Sequence, residues 1–146
     1  MSAFSISLDN EVFESEGDLM VSGSLKIGDF REDFHASLSY WNRDDYLSQW
    51  KDALNRLSQG ERRSAIVTAM YDPKTANFIF WWVMYLNGDV VYIQNQVLFL
   101  EELERPFYES ELYSFIPERE THTEEGEPIS EWVIGISAIK ECVDSM

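Results

Sequence analysis

The sequence predicts an α+β fold: one domain over residues 1–146, with a twisted antiparallel β-sheet of about six to seven strands and two to three helices. Three observations lead to this prediction. Apolar and polar residues alternate in several short segments, as they do in strands that bury one face. One segment has helical spacing instead. The chain is 45% apolar with a single cysteine, so it can bury a core but cannot form an internal disulfide.

Three alternating segments near the N-terminus predict an antiparallel meander. The first, 4–8, alternates large apolar residues with serine, and the same pattern returns over 19–27 and 34–40. Residues 9–18 lie between the first two segments and are rich in acidic side chains, which predicts a connection there. The meander is expected to bury one face and leave the serine-rich face in water.

The next segment predicts one amphipathic helix. Asn42 is a favourable N-cap, and the acids after it suit the positive end of the helix dipole. Gly60 is a suitable stop. The apolar positions form a single stripe, which predicts a face packed on the core: Tyr46, Leu47, Trp50, Leu54 and Leu57.

Residues 63–100 carry the strongest strand signal. A strand over 64–71 ends at the turn sequence Asp72-Pro73-Lys74. Two longer strands then flank Asn87-Gly88, a dipeptide favoured in tight hairpins, which would place Trp82 opposite Ile93. One face of this hairpin is predicted to be core: Phe78, Phe80, Trp82, Met84, Val91, Ile93, Val97 and Phe99. The other face, which includes Trp81, Tyr92 and Gln94, is either a second core under a helix or a surface for a partner.

Beyond the hairpin the signals are weaker. Residues 110–116 predict a short helix, and 118–128 predict a loop crowded with glutamate. A last strand is expected over 129–134, followed by a terminal helix capped by Ser137.

Negative charge is unevenly distributed along the chain. Residues 1–40 hold 8 acids and 2 bases, residues 41–100 hold 6 of each, and residues 101–146 hold 13 acids and 3 bases. The formal net charge is -16. Such a surface repels nucleic-acid phosphates and attracts basic proteins. Solubility alone is the simpler explanation.

Motifs for catalysis are missing from the sequence. It has no nucleotide-binding glycine loop, no nucleophile elbow, and two isolated histidines, His35 and His122. We therefore predict a non-enzyme with no catalytic residue, metal ligand or cofactor. The first twenty residues hold five acids and no Lys or Arg, and the longest apolar run is nine residues. These features predict a cytoplasmic protein that binds no membrane.

The order and spacing of scattered residues between 38 and 133 resemble the immunity proteins of bacterial contact-dependent growth inhibition systems. The likeness is strongest to the subgroup paired with a 16S-rRNA-cleaving toxin. It rests on these residues: Ser39-Tyr40-Trp41, Asp45-Tyr46, Trp50, Asn77-Phe78-Ile79-Phe80, Trp82-Val83, Tyr85, Tyr92, Gln94-Asn95, Phe99-Leu100-Glu101-Glu102, Thr121-His122 and Ile129-Ser130-Glu131-Trp132. The resemblance implies a Whirly-like fold and a cytosolic monomer that binds the C-terminal toxin domain of a sibling cell's effector in a 1:1 heterodimer.

The charge and the resemblance together predict where and how a toxin binds. A nuclease toxin needs a basic surface, which an acidic protein can occupy as an electrostatic decoy. Whether the active site or an exosite is covered stays open. The first candidate contacts are the loop acids Glu118, Glu120, Glu124, Glu125 and Glu127. The next are the acids near strand ends, Asp72, Glu101 and Glu102, and then the hairpin residues Trp81, Tyr92 and Gln94.

Three other functions remain open from the sequence. Exposed aromatic residues on a sheet could stack single-stranded nucleic acid, although residues 101–146 offer only three bases for the backbone. A DNA-mimicking inhibitor of another basic protein would share the same electrostatics. A small-molecule-binding or enzymatic domain with a pocket beside the hairpin is the third.

Overall fold

The computed structural model describes residues 3–146 and confirms the α+β fold in a single domain. The strands and helices follow in this order: β1 (Phe4–Ser15), β2 (Asp18–Ile27), β3 (Phe30–Ser37), α1 (Arg43–Ser58), β4 (Arg63–Ala69), β5 (Phe78–Asn87), β6 (Val90–Phe99), β7 (Trp132–Gly135) and α2 (Ile136–Asp144). Two 3₁₀ segments, Leu100–Glu102 and Glu109–Phe115, lie between β6 and β7.

The seven strands form two antiparallel sheets, not the one sheet that the sequence suggested. The first has the order β1-β2-β3 and the second the order β4-β5-β6-β7. Helix α1 occupies the outer edge of β4, where a strand of the first sheet would otherwise pair. The Gln49 amide donates to Ala65 O at 2.8 Å and accepts from Val67 N at 2.8 Å, while Trp50 Nε1 donates to Val67 O at 2.7 Å. These side chains satisfy backbone groups that would otherwise be left exposed on an edge strand.

Helix α1 begins and packs as its sequence predicts. Asn42 and Asp45 form a reciprocal capping box, with each side chain accepting from the other's backbone N–H. Four residues of the predicted stripe are buried, Tyr46, Trp50, Leu54 and Leu57, and the fifth, Leu47, is half-buried. The Tyr46 hydroxyl also joins the two sheets, since it donates to Ser37 O on β3 and accepts from Met70 N beyond β4.

The N-terminal meander is confirmed, but its first connection is much shorter than expected. Strand β1 continues through the acidic residues to Ser15, with a bulge after Leu8, and only two residues turn the chain into β2. The acids are compatible with a strand because that part of β1 is mostly exposed. Gly23 lies at the centre of this sheet, where a Cβ would come within 2.4 Å of the Phe34 ring.

The β5–β6 hairpin is confirmed with a register two residues away from the predicted one. Asn87 pairs with Val90, so the loop residues are Gly88 and Asp89, and Trp82 lies opposite Asn95. Gly88 has a φ of 64° at the first loop position, where a type II′ turn requires a positive value. A shift of two residues preserves the side-chain alternation, so the assignment of residues to the two faces is unaffected.

Both faces of the hairpin are covered along most of its length. The first face, with Trp82, packs against the N-terminal sheet, where Phe30 lies 6.2 Å from the Trp82 ring. The second face packs under the 3₁₀ segment Glu109–Phe115 and the chain that follows, as the Tyr85 hydroxyl donates to Pro117 O at 2.9 Å. The sheet therefore has a layer on each side, and its central strand is apolar on both faces.

The C-terminal elements are present with shifted limits. Strand β7 has four residues and starts three positions later than predicted. The N-cap of α2 is Gly135 and not Ser137. Cys142 is buried on this helix, and burial raises the pKa of its thiol. No helix within residues 3–146 combines the length and apolarity that a membrane crossing requires.

Candidate functional site

The acidic loop, residues 118–128, folds as a small hairpin of its own. Ile129 N–H donates to Thr121 O at 2.9 Å, and Thr123 N–H donates to Glu127 O at 2.8 Å. Gly126 closes the turn with a φ of 86°. All five glutamates of the loop are exposed: Glu118, Glu120, Glu124, Glu125 and Glu127. The loop therefore presents its carboxylates on a hydrogen-bonded frame.

Four side chains attach the acidic loop to the second face of the β5–β6 hairpin, the face that carries Trp81. Gln94, buried on β6, donates to Glu120 O at 2.9 Å and to the Glu131 carboxylate at 2.8 Å. Glu131 also forms a two-point ion pair with Arg119, at 2.8 and 2.6 Å. The Arg119 guanidinium lies 3.9 Å above the Tyr92 ring centre. These contacts hold the start of the loop against the sheet.

Arg119, the one Lys or Arg in the acidic loop, is paired with Glu131 in this attachment. Its hydrogen bonds lower the pKa of Glu131 below the usual glutamate value, and the pKa of Arg119 is raised in turn. Within residues 3–146, none of the five loop glutamates lies within ion-pair distance of a base. Their negative charge is therefore uncompensated and faces solvent.

Two adjoining hollows connect the acidic loop with one of the predicted strand-end acids. The larger, of about 750 Å³, is lined by Glu102, Glu104 and Glu118 and by one base, Arg105, which is paired with Glu111 at 3.6 Å. The smaller, of about 260 Å³, is lined by Glu118 and Glu120 together with Gln96. Pro117 and Glu118 border both hollows. The structure thus brings the predicted Glu102 and Glu118 to one concave, acidic surface.

Asp72 belongs to a second acidic group. There the Glu109 carboxylate accepts hydrogen bonds from the Tyr40 hydroxyl at 2.7 Å and from Trp41 Nε1 at 3.2 Å. The bond to Glu109 raises the pKa of Tyr40 to about 12, with a smaller contribution from the charge of Asp72. Glu101 is exposed. It lies near the start of β5, because the preceding residue, Leu100, donates its N–H to Asn77 O.

The structure corrects the expectation for the other hairpin residues. Trp81 is fully buried and Gln94 is 1% exposed, so neither is available for direct contact with a partner. Their face is a second core, covered by the C-terminal chain. Tyr92 is half-buried and carries Arg119. The same burial prevents nucleic-acid bases from stacking on Trp81.

Exposed apolar residues at one end of the first face were not predicted. The aromatic patch consists of Phe78, Phe80, Val97 and Phe99, which the alternation assigned to the core. The N-terminal sheet packs on this face at Trp82 and leaves its far end open. Phe78 lies beyond the last residue paired with β4, whereas Phe80 pairs with Ala69 of β4 and borders a hollow between the two sheets. The alternation in sequence carries no signal for this exposure, because it depends on which distant segment packs over the face.

A hollow of about 180 Å³ between the two sheets adjoins the aromatic patch. Phe80 and Asn95 contribute to it from the hairpin, and Glu32 and His35 contribute from β3. His35 is exposed and lies edge-on to Phe13. No group of three or more metal-ligating side chains with suitable spacing occurs in the described part of the chain.

Comparison with known proteins identifies the family of this chain. The family described as the CdiI N-terminal domain matches residues 36–142, which is most of the chain. The chain belongs to the CdiI immunity protein family. Among curated proteins of this family, the immunity protein CdiI of Enterobacter cloacae subsp. cloacae is 36% identical over 143 residues, covering 98% of both chains.

A solved structure extends the CdiI likeness to three dimensions. The CdiA-CT/CdiI toxin and immunity complex from Enterobacter cloacae contains a chain that superposes with a TM-score of 0.89. The two are 37% identical, and the match covers 97% of each. The family predicted from the resemblance is confirmed, and so is the fold class. The pairing with a 16S-rRNA-cleaving toxin and the likeness to the Whirly family stay predictions.

Proposed function

We propose that this protein is an immunity protein that binds the C-terminal domain of its cognate CdiA toxin and neutralises it without catalysis. CdiI is found with a CdiA-CT toxin in the Enterobacter cloacae complex, whose immunity chain shares this fold at 37% identity. Binding occurs in the cytoplasm, where an incoming toxin acts. One immunity protein occupies one toxin domain.

The acidic loop is the feature of this chain that most directly supports binding to a basic partner. Five uncompensated carboxylates on a hydrogen-bonded frame repel one another in the free protein. A basic partner relieves this repulsion. The frame also keeps the carboxylates in place before binding, so less conformational entropy is lost when the complex forms.

The same features suggest the class of toxin. A nuclease carries a basic surface that holds phosphates, and an acidic concave surface can take the place of that substrate. We propose that the hollows bordered by Glu102, Glu118 and Glu120 face the basic surface of a nuclease domain. Glu124, Glu125 and Glu127 extend this surface, and Asp72 and Glu101 lie further out. The net charge of -16 adds a long-range attraction that speeds the encounter.

The experiment is a charge-neutral triple variant of the acidic loop, Glu120→Gln, Glu124→Gln and Glu125→Gln. Its fold should be unchanged, because all three side chains are exposed. Affinity for the cognate CdiA C-terminal domain should fall more than tenfold, and protection of cells that express the toxin should fall with it.

A matched control separates this local effect from the loss of net charge. Glu11→Gln, Glu14→Gln and Glu16→Gln remove the same three charges from exposed positions on the N-terminal sheet and its turn. This variant should bind the toxin nearly as well as the natural protein. If both triple variants lose affinity equally, the effect is one of overall charge and the loop is not part of the interface.

A further inference from the structure

We propose that the aromatic patch is a second docking element for the same toxin domain and receives an apolar side chain that projects from a basic surface. This inference rests on the proposed function and adds a contact that the acidic loop does not provide. Phe78, Phe80, Val97 and Phe99 are the residues concerned, and none of them has a role in the fold comparable to that of the buried hairpin side chains.

The four side chains form one continuous surface. Phe78 pairs with Phe99 and Phe80 pairs with Val97 directly across the two strands. Their exposed fractions are 37% for Phe78, 49% for Phe99, 36% for Phe80 and 38% for Val97. A cluster of partly exposed large apolar residues on one sheet surface is typical of an interaction site.

The aromatic patch is also rigid before any partner binds. The Phe78 and Phe80 rings pack edge-to-face at 5.3 Å, and Tyr71 packs on Phe78 from the side at 5.7 Å. These rings stand on a paired hairpin and not on a loop. Aromatic side chains that are already held in place lose little entropy on binding, which is the property of interface residues that slow dissociation.

Charges around the aromatic patch select a basic occupant. The sequence has no Lys or Arg from residue 75 to residue 104, and the nearest base along the chain is Lys74, two residues after Asp72. Acids lie on three sides: Asp72 follows Tyr71 in the chain, Glu101 follows the end of β6, and Glu32 shares a hollow with Phe80. An apolar centre with an acidic rim complements a basic protein surface that carries an exposed apolar side chain.

The same charges disfavour the other occupants. Two copies of this chain would bring together net charges of -16 each, so a dimer through the aromatic patch is opposed by repulsion. Single-stranded nucleic acid could stack on the rings, but it needs a track of cations along its backbone, and residues 72–104 offer only Lys74 among five acids.

The test is the double variant Phe80→Ser and Phe99→Ser, measured against the cognate CdiA C-terminal toxin domain. The dissociation rate should rise at least tenfold, while the association rate should stay within about threefold, because no charge changes. The matched control is Val12→Ser and Leu19→Ser, which removes two apolar side chains of greater exposure from the N-terminal sheet. Its dissociation rate should equal that of the natural protein. The single variant Phe99→Ala provides the same comparison if the double variant is unstable.

Each result has a distinct meaning. Faster dissociation in the patch variant alone supports the inference. If the natural protein and the patch variant dissociate equally slowly while the triple Gln variant is impaired, the inference is wrong and the proposed function stands. If the natural protein does not bind the toxin domain at all, the proposed function fails and the inference fails with it. Light scattering that shows a dimer of the natural protein but a monomer of the patch variant would assign the aromatic patch to self-association and overturn the inference.

Discussion

The two faces of the β5–β6 hairpin differ in burial in a way that their composition does not explain, because the more apolar face is the one that is partly exposed. The second face, with Trp81 at its centre, is covered along most of its length by the C-terminal chain. The first face is buried beside the N-terminal sheet at Trp82 and exposed at the end that carries Phe78 and Phe99. Composition alone therefore does not separate core from surface in this hairpin. The positions of the segments that pack over each face do.

This difference also separates two kinds of binding contribution. The chain that covers the second face continues into the acidic loop, so that side offers charge on a hydrogen-bonded frame. The open end of the first face offers rigid aromatic rings directly. Charge acts over distance and affects mainly the association rate, whereas packed aromatic contacts affect mainly the dissociation rate. We therefore expect mutations on the two sides to have separable kinetic effects.

The largest expected effect concerns the covered face. Trp81→Ala removes a large, fully buried side chain, and should lower the free energy of unfolding by about 3–5 kcal/mol. Phe99→Ala, on the exposed end of the other face, should cost about 1 kcal/mol or less. Urea unfolding of both variants measures the contrast. Similar losses for the two would mean that the aromatic patch is as much a part of the core as Trp81.

A smaller effect concerns the attachment of the acidic loop. Arg119→Gln removes the ion pair to Glu131 and the contact with the Tyr92 ring. Because both partners remain partly exposed, the loss in free energy of unfolding at neutral pH should be about 1 kcal/mol or less. Association with the toxin should be at least as fast as for the natural protein, since the loop becomes more negative when its base is removed.

The pH dependence of this loss follows from the lowered pKa of Glu131. A carboxyl whose pKa is lowered in the folded state stabilises the fold at pH values above its ordinary pKa, 4.5 for glutamate, and loses that contribution as the pH falls through the folded value. The difference in stability between the natural protein and Arg119→Gln should therefore be constant near neutral pH and shrink below pH 4.5. Thermal unfolding over an acid series measures it. A difference that stays constant to lower pH would mean that the Tyr92 contact, and not the ion pair, is responsible.

Local signals predicted much of the fold. The capping residues of α1, its apolar stripe and the hairpin could be read directly, because each depends on neighbours in sequence. The hairpin register was missed because Asn87-Gly88 also fits a turn in which Gly88 takes the first loop position. The division into two sheets was missed because Gln49 satisfies the edge of β4 through its side chain, and nothing in the helical pattern marks such a contact.

The charged part of the candidate site could be predicted from the sequence. The part that depends on which segments pack over the hairpin could not. Glutamates crowded between Pro117 and Pro128 indicate an exposed acidic loop without any tertiary information. Burial of Trp81 and Gln94 and exposure of Phe80 depend on which distant segments pack over each face. The same alternation of apolar residues is compatible with both arrangements.

The most direct test of the account is the ionic-strength dependence of association with the cognate CdiA C-terminal toxin domain, measured by stopped-flow for the natural protein and the triple Gln variant of the acidic loop. For the natural protein, the association rate should fall more than tenfold between about 10 and 150 mM salt, while the dissociation rate changes much less. The triple Gln variant should associate more slowly at low salt and show a clearly shallower dependence. An association rate that does not change with salt, or equal dependences for the two proteins, would contradict the claim that the acidic loop guides the toxin to its inhibitor.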